Sequence, residues 1–503
     1  MRNALIAILA LACTGSPVLG ADRPSAAKRP NILIAIADDA SWPHMSAYGC
    51  PFVNTPGFDR IAREGVLFDN CFTPTPKCSP SRAALLTGRN PWQLEEACDH
   101  YGLFPGKLTV FPDLLESAGY FIGFTGKGWG PGDWKKGGRK RNPAGPEFDG
   151  AKLNPPTPGI SPKDYAANFR RFLDERPKDR SFCFWYGGHE PHRLYDPGSG
   201  VRAGKKLSDV TLPPYFPDSD VIRSDMLDYA LEIEWFDAQL GKMLAMIEAA
   251  GELDNTLVLV TADNGMPFPR VKGHIYEDAC HLPLAIRFPG GGVKGGRKVT
   301  DLISFIDIAP TLLQIADVAQ PAETTGRSFL DVLKSDASGQ VDPTRTFVLL
   351  GRERTDVGRP GDVGYPVRAI RTKEFLYARN FAPDRWPAGN PETDFPDIDN
   401  SPTKSLIVKL GAGDKYYDLA LARRGGEELY DMQKDPACMI NLASDAHFAD
   451  AKGRLAGQLE TALRQQQDPR ILGKGDVFDT YEYVGPRAHS WDRVINAKAP
   501  TTR

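Results

Sequence analysis

The chain has 503 residues, with 61 Lys and Arg against 64 Asp and Glu and a formal net charge of −3. That balance provides no general basic surface for nucleic acid or an anionic membrane, so an anionic ligand must be met by local cations. The length allows one large domain with a smaller one beside it, at an apolar content ordinary for a soluble globular protein.

Met1-Arg2-Asn3 followed by the apolar run Ala4 to Ala12 reads as a secretory leader, with Val18 and Gly20 placing a cut before Ala21. Residues 1–20 are therefore expected to be removed and the mature protein to be secreted or periplasmic. The run is too short to span a bilayer, and no later segment is a candidate span. Cys13 follows Ala10-Leu11-Ala12, a poor lipoprotein box, so a lipid anchor there is not expected. Cys50, Cys71, Cys78, Cys98, Cys183, Cys280 and Cys438 match no metal-binding spacing. In an oxidising compartment they leave zero to three disulfides open.

Asn31 to Ala37 is a continuous apolar run, as in a central strand of a parallel sheet, and it ends in Asp38-Asp39. Phe58 to Gly65 reads as a short helix with a glycine stop. Cys78-Ser79-Pro80-Ser81-Arg82 through Gly88-Arg89 reads as a loop entering a short helix, with Ser79 as cap, Pro80 in the first turn and Gly88 at the end. Such a helix start offers free N–H groups to an anion, with a thiol on its lip and Arg82 one turn in. A nucleophile beside an anion cradle suits attack on a sulfate or phosphate ester. Taken alone, Cys-Ser-Pro is more often a buried thiol before a capped helix.

Val110 to Gly119 reads as a helix and Tyr120 to Phe124 as a strand leading into Thr125-Gly126-Lys127. Residues 131–162, with the basic run Lys135 to Arg141, read as a long surface loop; solvated charge is its default, a wall beside an anionic sugar the alternative. Ser181 to Tyr186 is a strand running into His189-Glu190-Pro191-His192-Arg193. From Met226 to Ala250, Tyr229, Ile233, Phe236, Leu240, Met243 and Ile247 recur at helical spacing, and Gly251 closes the helix. Leu257 to Val260 is a strand ending at Asp263-Asn264-Gly265; a strand at Leu284 to Phe288 and a helix at Ile306 to Val318 follow. Past about residue 366 come shorter strands at Val367 to Ile370, Phe375 to Ala378 and Glu428 to Tyr430, then a helix from Ala446 to Gln466. The expected architecture is an α/β domain over residues 27–365, with a mostly parallel sheet, and a smaller α+β domain over 366–503.

Open α/β sheets place their sites beyond the carboxyl ends of the strands. Asp38, Asp39, Lys127, His189, Asp263 and Asn264 all fall just past such ends. Asp38, Asp39, Asp263 and Asn264 are hard oxygen donors without the His or Cys density of a zinc site, which favours Ca²⁺ and, second, Mg²⁺. Singly these signals are weak, and Asp-Asn-Gly is often just a turn. A divalent ion there would neutralise an ester oxygen and hold the nucleophile. Lys127 and Lys272 could contact the same oxygens, and His189 is a candidate acid for the leaving group.

The string Cys78 to Arg89 resembles the type I sulfatase signature C-x-P-S-R-x-x-L-L-T-G-R, with every fixed position present. Asn31 to Asp39, Gly119 to Lys127, His189-x-Pro-His192, Thr261 to Gly265 and Glu428 to Asp431 are similar to further sulfatase motifs, in sulfatase order. The resemblance implies an alkaline-phosphatase-like fold, a mixed and mostly parallel sheet flanked by helices with a short antiparallel sheet plus helix after it. It implies that a formylglycine-generating enzyme oxidises Cys78 to formylglycine, whose hydrate attacks sulfur in line and then expels sulfate. It also implies Ca²⁺ on Asp38, Asp39, Asp263, Asn264 and the modified Cys78, with Arg82 orienting the hydrate, Lys127 and Lys272 holding sulfate, and His189 assisting the leaving group.

One position departs. Many sulfatases carry a histidine two residues after the Lys127 position, and Trp129 stands there, unable to relay a proton. His100 and His274 are substitutes by residue type only. His189 to Arg193 and Asp263 to Pro269 resemble the heparan N-sulfatase branch, which has a basic residue nine positions after the first Asp of Asp-Asn-Gly, here Lys272. The first substrate implied is N-sulfoglucosamine, the second an O-sulfate on another glycan. A phosphatase or phosphonate hydrolase of the same superfold is opposed by the complete cysteine signature. A glycan-binding protein without catalysis has only Trp129 in its favour.

Overall fold

The computed structural model describes residues 29–498, so the expected leader and Cys13 lie outside the described residues. Eight strands form the main sheet: β1 (Asn31–Ala37), β2 (Val66–Phe72), β3 (Phe121–Gly126), β4 (Phe182–Gly187), β5 (Thr256–Ala262), β6 (His281–Arg287), β7 (Arg297–Val299) and β8 (Ile303–Ser304). Their order is β3-β4-β1-β5-β6-β2-β7, with β8 also on β2. β3, β4, β1 and β5 run parallel, whereas β6 is antiparallel to both β5 and β2. β1 is buried at every position, as a central parallel strand requires.

The register levels the strand ends. Ile36 pairs with Gly187 on one side and Thr261 on the other, and Ala37 with Ala262. Asp38, Gly188 and Asp263 therefore leave the sheet at one height. Gly126 and Gly187 permit the closeness of β3 and β4 there: a Cβ on Gly126, at φ +81°, would lie 2.0 Å from the Gly187 carbonyl oxygen. A Cβ on Gly187 would lie 1.9 Å from that of Lys127.

The long helix spans Asp220–Ala249 and begins earlier than the apolar spacing indicates, because the Ser219 side chain caps it by accepting from Val221 N–H. Its buried stripe includes the expected Tyr229, Ile233, Phe236, Leu240, Met243 and Ile247. The basic loop is less solvated than its charge suggests: Arg139 and Arg141 fold back on Asp113, Arg141 also reaches Glu116, and Lys136 reaches Glu482. All the described cysteines are free, so no disulfide forms among them. No helix among the described residues is long and apolar enough to cross a membrane.

A second, antiparallel sheet has four strands, β9 (Phe347–Arg352), β10 (Val367–Thr372), β11 (Phe375–Asn380) and β12 (Glu427–Asp431), in the order β12-β11-β10-β9. It starts before residue 366, so the boundary expected there passes between two paired strands. The helix Ala449–Gln465 lays Leu455, Leu459 and Leu463 against Leu349, Ile370, Tyr377 and Leu429 of this sheet. Arg371 on β10 pairs with Glu277 beside β6, tying the two sheets together.

Candidate active site

The helix Cys78–Thr87 is buried along its whole length. Its N-cap is Lys77, in extended conformation, with no side-chain cap bond, so Ser79 lies inside the first turn and does not cap it. The tie at this end is made by Ser81: its hydroxyl donates to Asp263 O (2.5 Å) and accepts from Thr73 Oγ1 (2.7 Å). Gly88 ends the helix at φ 67°, as expected.

Arg82 is fully buried and spans three strand ends, with Nη2 lying 3.8 Å from Asp38 Oδ1. Its Nε donates to Asp263 Oδ2 (2.8 Å), and Nη1 donates to Lys127 O (2.6 Å) and Gly128 O (3.1 Å). Asp39 sits in the left-handed region at φ 77°, uncommon for a residue with a Cβ. Its N–H donates to Asp263 Oδ1 (3.0 Å), while Asn264 Nδ2 donates to its Oδ1 (2.7 Å). Lys272 Nζ lies 2.6 Å from Asp39 Oδ2 and 2.9 Å from Asp399 Oδ2. Lys127 Nζ donates to Asp38 Oδ2 (2.6 Å), and Cys78 Sγ is 3.8 Å from Asp39 Oδ1. Every site residue named from sequence except His189 is thus joined to another by direct contact; His189 lines the same cavity, of about 590 Å³, with Asp38, Lys127 and Lys272.

Asp38, Asp39, Cys78 and Asp263 each offer a ligand atom within 4.8 Å of the others, and Asp38, Cys78 and His192 form a second such group. Asp38 Oδ1 and Asn264 Oδ1 are buried without a hydrogen-bond partner. Oxygen-rich donors with unused buried lone pairs suit a hard divalent cation. The electrostatics agree. Burial opposes charge on Asp38, yet Lys127, His192 and Arg82 hold its carboxyl well below the usual range. Burial and then the neighbouring Asp38 charge push Asp263 up to about 7. Crowded carboxylates of this kind are relieved by a cation between them.

Burial raises the Cys78 thiol far enough to keep it protonated, so as a cysteine it is a poor nucleophile. His189 is pulled down to about 3, by burial first and then Lys163, and its Nε2 has no partner. Trp129 braces the helix that carries the cysteine. Its ring is buried, and its Nε1–H donates to Ser79 O (3.0 Å) in the first turn. Of its two substitutes by residue type, His100 lines the cavity, whereas His274 is buried against Tyr276 and is not among the lining residues. Sequence reasoning gave no role to His192, whose Nε2 is 3.9 Å from Asp39 Oδ2, although it lies within a quoted motif. It also passed over Lys77, Asp356 and Asp399 on the cavity wall. Lys77 carries a signal in adjoining the cysteine; the two aspartates carry no local signal.

The protein-family model described as Sulfatase matches residues 30–318. Human N-sulphoglucosamine sulphohydrolase is 28% identical over 507 residues, covering 90% of this chain and 93% of its own. An ulvan-active sulfatase of Formosa agariphila is 26% identical, covering 90% of this chain and 78% of its own. A structure solved with its substrate D-glucosamine-2-N,6-O-disulfate superposes with a TM-score of 0.65 at 22% identity, over 88% of this chain and 99% of that one. The fold is the alkaline-phosphatase-like one, a mixed, mostly parallel sheet with a small antiparallel sheet after it.

Proposed function

The chain belongs to the sulfatase family and is a sulfate ester hydrolase, and on that premise we propose that it is an exported enzyme removing sulfate from N-sulfoglucosamine, with Cys78 oxidised to formylglycine and Ca²⁺ as its metal. The observation carrying this reading is the setting of Cys78: a buried, protonated thiol 3.8 Å from Asp39, ringed by Asp38, Asp263 and Asn264, with Lys127 and Lys272 on the cavity side. Hydrated formylglycine at residue 78 would supply a paired-hydroxyl nucleophile for sulfur. Asp38, Asp39, Asp263 and Asn264 with the modified residue 78 would hold Ca²⁺, which would supply Lewis-acid stabilisation of a sulfate oxygen.

The remaining work falls to this chain's own side chains. Arg82, with Nη2 free of hydrogen bonds, orients the nucleophile while its other nitrogens fix the strand ends. Lys127 and Lys272 each keep N–H groups for sulfate oxygens as charge develops. His189, held neutral by burial, keeps Nε2 unpartnered; to assist a sulfamate leaving group it first takes up a proton from the attacking hydroxyl and then gives it to nitrogen. Cleavage of a leader over residues 1–20 and oxidation of Cys78 by a formylglycine-generating enzyme belong to the same reading. The similarity to an ulvan-active sulfatase supports an O-sulfate of another glycan as the second substrate.

Mass spectrometry of the Cys78 peptide from the native host is expected to show the loss of thiol that formylglycine brings, and the enzyme to release free amine and sulfate from N-sulfoglucosamine. Unmodified thiol throughout, with no sulfate released from any glycan, overturns the mechanism. Loss of O-sulfate alone overturns only the substrate.

A further inference from the structure

Four cationic side chains line the cavity: Lys77, Lys127, Arg193 and Lys272. Three of them are matched to carboxylates. Lys127 lies 2.6 Å from Asp38, Lys272 lies 2.6 Å from Asp39 and 2.9 Å from Asp399, and Arg193 grips Asp225 at 2.7 and 2.8 Å. Lys77 is different. It is only 2% exposed, and its Nζ has one weak hydrogen bond, to the backbone oxygen of Asp397 at 3.4 Å. Among the described residues no carboxylate comes within ion-pair distance of it. The acidic groups that act on it most, Asp356 and Asp399, stand beyond contact with it: Asp356 accepts from Tyr483 OH (2.7 Å), and Asp399 pairs with Lys272.

A buried ammonium with no carboxylate in direct contact is costly, and the cost falls when a ligand brings an anion to it. The sulfate at Cys78 already has two cations of its own. Lys127 and Lys272 stand at Asp38 and Asp39, whereas Lys77, although it precedes Cys78 in sequence, reaches to Asp397 on the segment that carries Asp399. We propose that Lys77 binds a second anionic group, a sulfate or a carboxylate, on the same saccharide whose first sulfate lies at Cys78. Lys77 is then a specificity-determining residue, and the preferred ligand is a sulfated saccharide with at least two acidic groups. This rests on the reading of the cavity as a sulfated-saccharide site, and not on which sulfate is cleaved.

The test compares ligands that differ by one acid. Glucosamine N-sulfate carries one, glucosamine-2-N,6-O-disulfate adds a second sulfate, and N-sulfoglucosamine linked to a uronic acid adds a carboxylate. Binding is measured by calorimetry on Ca²⁺-loaded protein carrying Cys78→Ala, which cannot turn the ligands over, with Lys77 intact or replaced by Gln or Arg. With Lys77 intact, at least one two-acid ligand is expected to bind roughly tenfold tighter than the one-acid ligand. The ligand that gains identifies the source of the anion. Lys77→Gln is expected to bring the advantage to within about twofold and Lys77→Arg to retain it, a contrast that loss of structure in one variant does not produce. No advantage with Lys77 intact, or an advantage that survives Lys77→Gln, overturns the proposal. The N-sulfatase reading fails separately, on absence of free amine from the Cys78 enzyme, and leaves the binding comparison standing.

Discussion

Two of the buried charge clusters among the described residues, that around Cys78 and that around Arg368, are finished differently. In the second, Arg368 on β10 meets Asp468 at 2.7 and 3.1 Å and Glu353 at 2.7 Å, and Glu353 is shared with Arg470 at 2.5 Å. No buried nitrogen or oxygen of these four side chains lacks a partner. Around Cys78 the charges are as deeply buried, but Asp38 Oδ1, Asn264 Oδ1, Arg82 Nη2 and His189 Nε2 make no hydrogen bond, Asp38 Oδ1 and Arg82 Nη2 facing each other only at 3.8 Å. Burying charge is common to both; leaving it unsatisfied is not. A closed network holds a sheet to its helix, and an open one waits for a ligand.

The contrast can be broken by substitution. Cys78→Ala is expected to lower sulfate release more than about 10⁴-fold, the scale of losing a nucleophile, while the urea midpoint moves little. Parallel loss of activity and stability would put Cys78 in the class of Arg368. Chelation of divalent ions is expected to cost at least about 10²-fold in activity and to lower the thermal midpoint, with both restored by Ca²⁺; activity that persists in chelator removes the metal from the site. Arg368→Met is expected to show the opposite pattern, losing about 3–5 kcal/mol of unfolding free energy because Asp468 and Glu353 stay buried without it. Its kcat/KM per folded molecule should hold within about twofold, and a large fall there would dissolve the distinction.

The link between the sheets sharpens the same point through pH. Burial opposes ionisation of Glu277, but Arg371 overrides it and, with His281, holds the carboxyl at about 2 against an ordinary 4.5. A depressed carboxylate contributes stability that is complete above the unfolded value and is lost as pH falls through the folded one. Glu277→Gln should therefore be less stable by about 3 kcal/mol above pH 4.5, with the gap to the parent closing toward pH 2 in urea titrations. A gap independent of pH would mean that packing, not charge, joins the sheets. The smallest effect is expected at Trp129→Phe, which removes the bond to Ser79 O at the start of the Cys78 helix and should cost about 1 kcal/mol with a few-fold drop in kcat.

The sites legible in sequence were those at the ends of apolar parallel strands, since β1, β3, β4 and β5 announce themselves by composition and their carboxyl ends share an edge. Asp38, Lys127, His189 and Asp263 follow from that alone. β2 and β9 were not legible: Asp69-Asn70 interrupts the first, with a register shift between Phe68 and Cys71, and the second lies ahead of the composition change used as a boundary. The cap assigned to Ser79 failed because Ser81, further into the helix, makes the tie to Asp263, and the backbone at Lys77 already starts the helix. Asp399 and Glu277 owe their roles to partners far away in sequence, Lys272 for Asp399 and Arg371 for Glu277, which no local pattern encodes.

The level ends of β1, β4 and β5 carry a consequence for how this protein can vary in length. The distance from Asp38 to Asp263 is set by hydrogen-bond register across the sheet, with Ala37 opposite Ala262, and not by the residues between them in the chain. Connections do not set that distance and can gain or lose residues where they leave the strand ends untouched, unlike 131–162, whose Asp149 and Asn142 hold Gly126 and Trp129. One residue inserted within β1 displaces Asp38 and Asp39 by a whole step against Lys127 and Asp263, and turns each following side chain to the opposite face. Tolerance to insertion and deletion in this chain is thus partitioned by register: wide in the connections that leave the strand ends untouched, nil in three short strands.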